Sequence, residues 1–364
     1  MNDLGIYIHV PFCGRKCPYC DFYSVPYTAG AVAGYAAAVL RNIRRYSEPE
    51  RAVSTLYFGG GTPSLLTTEQ LGSIISEVRN CFRFADSAEV TLEANPNTLT
   101  HEKLSGLRIA GINRLSIGVQ SLLDDELKML GRTHSAERAE KAVRDAAAAG
   151  FENISCDLMI ALPGQDEEKL RRSAERLAAL PIQHISAYIL KPEAGTPFAD
   201  SELLKELPDD DLSAELYLET VRIMAENGFE QYEISNFARK GFESRHNCRY
   251  WKCEDYLGIG PAAHSCYHGK RFAVPRDIEQ FIKSDSQTEN ITDNSPCGFE
   301  EAAMLRLRLT EGLDLNDFPE HRASIEKKAP ALAEAGYIRF DGRRLSLTPE
   351  GFLVSNAVIG QLIF

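Results

Sequence analysis

The sequence predicts an α/β fold, a partial (β/α)6 TIM-like barrel followed by a small C-terminal helical, winged-helix-like domain. Three observations point there. Six apolar, β-branched runs alternate with segments of helical periodicity, each run ends in a chemically distinctive group, and the C-terminal stretch changes to amphipathic helix with one hairpin signal. Strands that alternate with helices pair in parallel through right-handed crossovers, and a barrel gathers the strand ends on one rim.

The runs cover residues 5–12, 53–58, 89–93, 114–119, 153–160 and 184–190, with helical periodicity between them, as at 135–149 and 166–180. After the sixth run, a Pro- and Gly-containing loop leads to a helix over 208–227, whose acidic opening, PDDD, complements the helix dipole. An aromatic-rich stretch follows over 229–251. A polar connector, SDSQTENITDNSP, within 261–295 reads as a boundary. Beyond it lie helices, an Asp341-Gly342 turn, and Thr348-Pro349 opening a last helix. The expected organisation is a barrel over 1–200, a capping extension over 201–285 and a C-terminal domain over 286–364.

The chain has 364 residues, 44% hydrophobic, enough for one large core and a smaller one. Its net charge of -12 argues against a broad nucleic-acid footprint, and Arg339, Arg343 and Arg344 are too few to make the hairpin a DNA-binding wing. No apolar run is long enough to span a bilayer, and Met1 to Gly5 lacks a basic n-region, so a cytoplasmic location is expected. Nine cysteines in such a chain point to reduced thiols and metal ligation rather than a disulfide framework.

Three of them stand together just past the first run, Cys13, Cys17 and Cys20, in the pattern C-x-x-x-C-x-x-C. A loop at a strand end can hold several thiolates around one metal centre. A structural zinc site would close with four protein ligands, and Asp21 and His9 fit its spacing poorly. An iron-sulfur cluster with three thiolates and one open iron fits better. Cys81 and Cys156 read as core residues.

Other strand ends carry matching chemistry. The second run leads into Gly59-Gly60-Gly61-Thr62-Pro63-Ser64, whose uncovered backbone admits a small zwitterionic group. Glu93 ends the third run, where a carboxylate accepts from an ammonium or from ribose hydroxyls. Gln120 and Asp157 offer ribose or adenine contacts, and Arg132 can grip a carboxylate bidentately.

The cysteine spacing, with an aromatic before Cys20, resembles the signature of the radical S-adenosylmethionine (SAM) superfamily. The resemblance implies a 4Fe-4S cluster whose open iron chelates SAM and splits its sulfonium to a 5'-deoxyadenosyl radical. It also implies that Gly60, Gly61, Thr62 and Pro63 hold the methionyl amine, that Tyr7 lies against SAM, and that Glu93, Gln120, Arg132 and Asp157 complete its site.

A second motif lies at His246-Asn247-Cys248-Arg249-Tyr250-Trp251, or H-N-x-x-Y-W. A neutral imidazole on a flexible segment can bind a haem iron, with the aromatics stacking on the macrocycle and Arg245 or Arg249 pairing with propionates; equally, these residues can close the open side of a barrel. Cys253, Cys266, His264 and His268 follow at spacings that match no metal motif, with Cys266 or His264 as alternative haem ligands.

Together with Asp21-Phe22, the H-N-x-x-Y-W run resembles the HemW-type haem chaperones. Their relatives, the oxygen-independent coproporphyrinogen III dehydrogenases, usually carry a further cysteine where this chain has Phe22. The resemblance implies haem as ligand and haem-accepting proteins as partners, with peripheral membrane contact through an acceptor and a homodimer as further expectations. A radical SAM oxidoreductase acting on coproporphyrinogen III, or a radical SAM enzyme with another substrate, stands beside the chaperone reading.

Overall fold

The computed structural model describes residues 3–363; Met1 and Asn2, part of the N-terminal stretch read above, and Phe364 lie outside them. The six runs become β1 (Leu4–Val10), β2 (Glu48–Gly60), β3 (Phe82–Ala94), β4 (Arg114–Gln120), β5 (Ile154–Ile160) and β6 (His184–Ile189). Between them lie α1 (Ala29–Arg45), α2 (Thr68–Cys81), α3 (His101–Ala110), α4 (Asp124–Met129), α5 (Ala136–Ala148) and α6 (Glu167–Ala178). Each strand pairs in parallel with the next in chain order, which makes the partial barrel.

Side-chain alternation sets the barrel's two surfaces. In β4, Leu115, Ile117 and Val119 are fully buried in the hydrophobic core, while Ser116, Gly118 and Gln120 line a cavity inside the barrel. The helices are capped as their sequences demand. Thr67 and Gln70 form a reciprocal capping box at α2, and Ser135 accepts from Arg138 N at α5. Tyr35 of α1, wholly buried, donates to the His9 carbonyl at 2.6 Å and so fixes the end of β1 against its helix.

Next come α7 (Asp210–Glu226), capped by Asp209, then β7 (Glu230–Glu233), β8 (Asn236–Ala238), α8 (Arg245–Trp251) and β9 (Tyr256–Ile259). They are followed by β10 (His264–Tyr267), β11 (Lys270–Ala273), α9 (Ile278–Lys283) and β12 (Asn290–Asp293). The sheet order is β12-β11-β10-β9-β1-β2-β3-β4-β5-β6-β8-β7, with β9 parallel to β1 and the strands beyond it antiparallel.

The stretch over 261–295 is therefore more than a polar connector. His268 and Gly269 both adopt left-handed backbone and turn β10 tightly into β11. The polar run beyond supplies β12, an exposed edge strand whose Asn, Thr and Asp suit a sheet margin. The last elements are α10 (Phe299–Arg306), β13 (Leu313–Asp314), α11 (Arg322–Glu334), β14 (Ile338–Phe340), β15 (Arg344–Leu347), α12 (Pro349–Leu353) and α13 (Ser355–Ile363). The expected hairpin is β14–β15, and β13 adds a third strand that the sequence pattern did not reveal. Among the described residues, no helix is long and apolar enough to cross a membrane.

Candidate functional site

The loop after β1 carries all three motif cysteines as free thiols, each half-buried. Its backbone is strapped at both ends: Val25 N donates to Pro11 O at 2.6 Å, Tyr27 N to Cys13 O at 3.1 Å, and Cys20 N to Cys17 O at 3.1 Å. The glycine turn after β2 is tied to the same loop, with Gly61 N donating to Val10 O at 2.8 Å and Thr62 N to Phe12 O at 2.7 Å. A Cβ on Gly61 would meet the Phe12 carbonyl oxygen at 2.6 Å, so only glycine permits this approach. Gly60 has φ +115, and a Cβ there would strike the His9 ring at 2.7 Å.

Cys13, Cys17 and Cys20 line one cavity of about 460 Å³ at the C-terminal rim of the barrel. Gly60, Gly61, Thr62 and Pro63 form another part of its wall; Glu93 and Gln120 reach it from the ends of β3 and β4, Asp157 from the middle of β5, and Arg132 from the loop between α4 and α5. Thr62 Oγ1 lies 3.7 Å from Cys13 Sγ, and Arg132 Nη1 lies 3.5 Å from Cys17 Sγ. Among the described residues no group of three or more His, Cys, Asp or Glu is placed to hold a metal ion; the thiols are spread along a larger cavity.

The cavity holds two carboxylates. Glu93 accepts from Tyr57 Oη at 2.9 Å and Gly60 N at 3.1 Å, yet burial first and Asp157 second raise its pKa to about 7. Burial likewise raises Asp157 to about 6, although it accepts from Ser116 Oγ at 3.3 Å. Arg132 donates through Nη2 to Gly118 O at 2.7 Å and keeps a buried Nε without a partner. Free thiols on one wall, a glycine cradle and a proton-retaining carboxylate pair fit a cluster and a cationic, carboxylate-bearing nucleotide.

Tyr7 and His246 stand apart. Tyr7 is level in the sheet with Tyr57 and Thr91, two residues before Glu93, and does not line the cavity. Its hydroxyl bonds to His9 Nδ1 at 3.1 Å, and Gly59 has room for no Cβ beside it, at 2.9 Å. His246 is not on an open, flexible segment. It sits on α8 and is fully buried, sharing a hydrogen bond through Nδ1 with Thr55 Oγ1 at 2.8 Å and through Nε2 with Tyr250 Oη at 2.7 Å. Burial, with Arg249 and Arg114 acting in the same direction, lowers its pKa to about 3 and keeps it neutral.

The helix α8 plugs the barrel's other end. Glu89 of β3 accepts from the Arg245 and His246 backbone amides, at 3.3 and 3.2 Å, and Ser244 caps the helix. Arg249 is buried and committed to Asp3, Ser54 and the Asp255 carbonyl, so it does not offer its guanidinium to a propionate. Arg245 and Cys248 instead line a cleft of about 500 Å³ between α8 and the chain at Leu309–Glu311. His264 and His268 are exposed, the latter paired with Glu48 at 2.9 Å.

Sequence reasoning passed over Ser116, Gly118, Asn95, Asn97 and Thr133 in the cavity wall. Strand alternation in RLSIGVQ marks Ser116 and Gly118 as facing the same way as Gln120, and that signal was available. Asn95 and Asn97 belong to a single 3-10 turn of helix at Pro96–Thr98 and Thr133 to a loop, with no such periodicity.

The chain is 33% identical to the heme chaperone HemW of Lactococcus lactis subsp. lactis, over 98% of this chain and 96% of the relative. It is 35% identical to the heme chaperone HemW of Bacillus subtilis, over 98% of each. The chain belongs to the HemW family of radical SAM proteins. A model of the radical SAM superfamily matches residues 7–177, and one of the HemN C-terminal domain matches residues 299–354. The chain is also 40% identical to a mitochondrial radical S-adenosyl methionine domain-containing protein 1 of Bos taurus, over 99% of this chain and 87% of the relative. The fold is that of Escherichia coli coproporphyrinogen III oxidase (HemN), with a TM-score of 0.84 and 22% identity over 99% of this chain and 90% of that one.

Proposed function

We propose that this protein is a haem chaperone that binds haem, a 4Fe-4S cluster and SAM, and delivers haem to acceptor proteins. The observation that carries the reading is full-length similarity to proteins named for haem chaperoning, in a chain whose H-N-x-x-Y-W run forms α8 at the barrel base.

Cys13, Cys17 and Cys20 would hold the cluster, which supplies an iron free to chelate an amino acid's amine and carboxylate and an electron for the sulfonium. Gly60 to Pro63 form a backbone cradle beside that position, and Glu93 and Asp157, whose raised pKa values favour the protonated form in the empty cavity, would ionise against a cationic nucleotide. Arg132, with an unpartnered Nε, has a donor to spare for the nucleotide's carboxylate. Phe22, 64% exposed beside the cysteine loop, presents an aromatic face at the mouth of this cavity.

Haem would bind at the barrel base, along the cleft beside α8, where Arg245 and Lys252 offer cations for propionates. For His246 to reach the iron, α8 must open and one of its two hydrogen bonds must break. The ring is neutral and therefore ready to ligate once uncovered. The test is haem titration of the full-length protein: a Soret shift that survives gel filtration in the wild type and is lost in His246→Ala is the expected outcome. Unchanged haem binding in His246→Ala rejects this ligand, and anaerobic conversion of coproporphyrinogen III rejects the chaperone reading.

A further inference from the structure

A separate group of thiols lies at the sheet margin, where β10 and β11 meet the segment entering α10. Cys266 is buried on β10, and its Sγ lies 3.8 Å from Cys297 Sγ, in van der Waals contact and unbonded. As a thiol, Cys297 Sγ donates in turn toward the Cys253 carbonyl oxygen at 3.7 Å. Three separate chain segments thus bring cysteines to one place.

The backbone holds them there under constraint. Cys253 has φ 56 and Cys297 φ 69, left-handed conformations that a residue with a Cβ keeps only where its surroundings impose them. Cys297 N donates to Glu301 Oε2 at 2.6 Å, Glu301 pairs with Arg271 at 2.7 Å, and Arg271 Nη1 donates to Tyr256 Oη at 3.1 Å. Arg271 keeps a buried Nε without a partner. The Cys253 and then the Cys266 thiol, donating toward Cys297, and Arg271 beside it hold the Cys297 thiol well below the usual range; Cys253 and Cys266 are raised. The groups around Cys297 are therefore the Cys253 and Cys266 thiols, the Cys253 carbonyl oxygen, the Arg271 guanidinium and the Glu301 carboxylate. Cys297 is itself partly exposed, whereas Cys266 is buried; Cys253 lines a neighbouring cleft of about 440 Å³ whose wall carries Lys252, Arg306 and Arg344 together with the carboxylates of Glu254, Asp255, Glu311, Asp314 and Asp317.

We propose that Cys297 and Cys266 form a thiol–disulfide exchange site that takes a low-molecular-weight disulfide of the glutathione type as its oxidant. The Cys297 thiolate attacks one sulfur of that disulfide; a protein–glutathione S–S bond forms, the original S–S bond breaks, and one glutathione thiolate leaves. The Cys266 thiol then gives up its proton and attacks Cys297 Sγ, expelling the second glutathione as the thiolate that takes that proton. Two protein thiols are oxidised and one small disulfide is reduced to two thiols. The new bond joins β10 to the segment leading into α10, across the edge of the barrel's cleft.

The test uses full-length, cluster-reconstituted protein incubated anaerobically with oxidised glutathione, acid-quenched, alkylated and mapped by peptide mass spectrometry. A Cys266–Cys297 linked peptide should accumulate roughly tenfold faster than any modification at Cys81 or Cys156. Cys266→Ser should leave glutathione on Cys297, and Cys297→Ser should yield neither product. Glutathione on other cysteines with Cys297 untouched, or an unmodified Cys297 in Cys266→Ser, overturns the proposal. A measurement on the unmutated chain guards against misfolded variants: Cys297 alkylation by iodoacetamide should already be at its plateau below about pH 8, and a midpoint in the ordinary thiol range overturns the assignment.

Discussion

The two ends of the barrel handle polar groups in opposite ways. At the C-terminal rim, Glu93 and Asp157 hold protons well above their ordinary pKa values, Arg132 Nε has no partner, and three thiols are free. At the base, Arg249 makes bonds to Asp3, Ser54 and Asp255, both His246 ring nitrogens are taken, and Glu89 caps α8. Unsatisfied buried groups cost stability, so the rim is a surface built for something that arrives later, whereas the base is closed as folded. A ligand at the rim completes existing geometry; a ligand at the base has to displace it.

The largest effect that separates the two ends is expected at the cysteine loop. Cys17→Ala should abolish the broad visible iron-sulfur absorbance and SAM binding together, because three thiolates are needed to leave a single iron open. Thermal unfolding should hardly move, since Cys17 is half-buried and its removal empties no packed core. Retained absorbance and SAM affinity in this variant would show that another residue completes the centre.

A smaller effect concerns the proton on Glu93. Its folded pKa of about 7 exceeds the ordinary 4.5, so between those values the native state keeps a proton that the unfolded chain releases. Stability therefore falls as pH rises through that window, by at most about 3 kcal/mol, and is level above it. Glu93→Gln should flatten this part of the curve, read by denaturant unfolding at pH 5 and pH 7.5. SAM binding near pH 6.5 should release protons in the wild type and fewer in the variant, as calorimetry in buffers of different ionisation enthalpy would record. Equal proton release in both would place the titrating group elsewhere.

The smallest expected effect tests the closed base. Tyr250→Phe frees His246 Nε2 at the loss of one hydrogen bond, worth about 1 kcal/mol. Haem affinity should rise by up to roughly fivefold, the converse of His246→Ala. No change in the haem titration would mean that opening of α8 is not governed by this contact.

The contrast also explains what the sequence revealed. The strands of the barrel are legible because each is a short apolar run with its own turn, and the cysteine loop, the glycine turn, Glu93 and Gln120 are legible because they sit at strand ends within local motifs. The base is not. The burial of His246 depends on Thr55 and Glu89, contributed by strands 191 and 157 residues away, and nothing near the H-N-x-x-Y-W run announces them. Tyr7 was placed at the ligand by resemblance, whereas strand geometry puts it one layer lower. Polar composition concealed the β10–β12 ribbon, and Cys297, 31 residues beyond Cys266, carries no spacing signal at all.

If rim and base act separately, haem capture does not need the iron-sulfur centre. Haem titration of Cys17→Ala beside the reconstituted wild type tests this most directly, because that substitution empties the rim and leaves α8 and its contacts in place. The account predicts matching Soret shifts and dissociation constants within about twofold of each other. Loss of haem binding together with the cluster would contradict it.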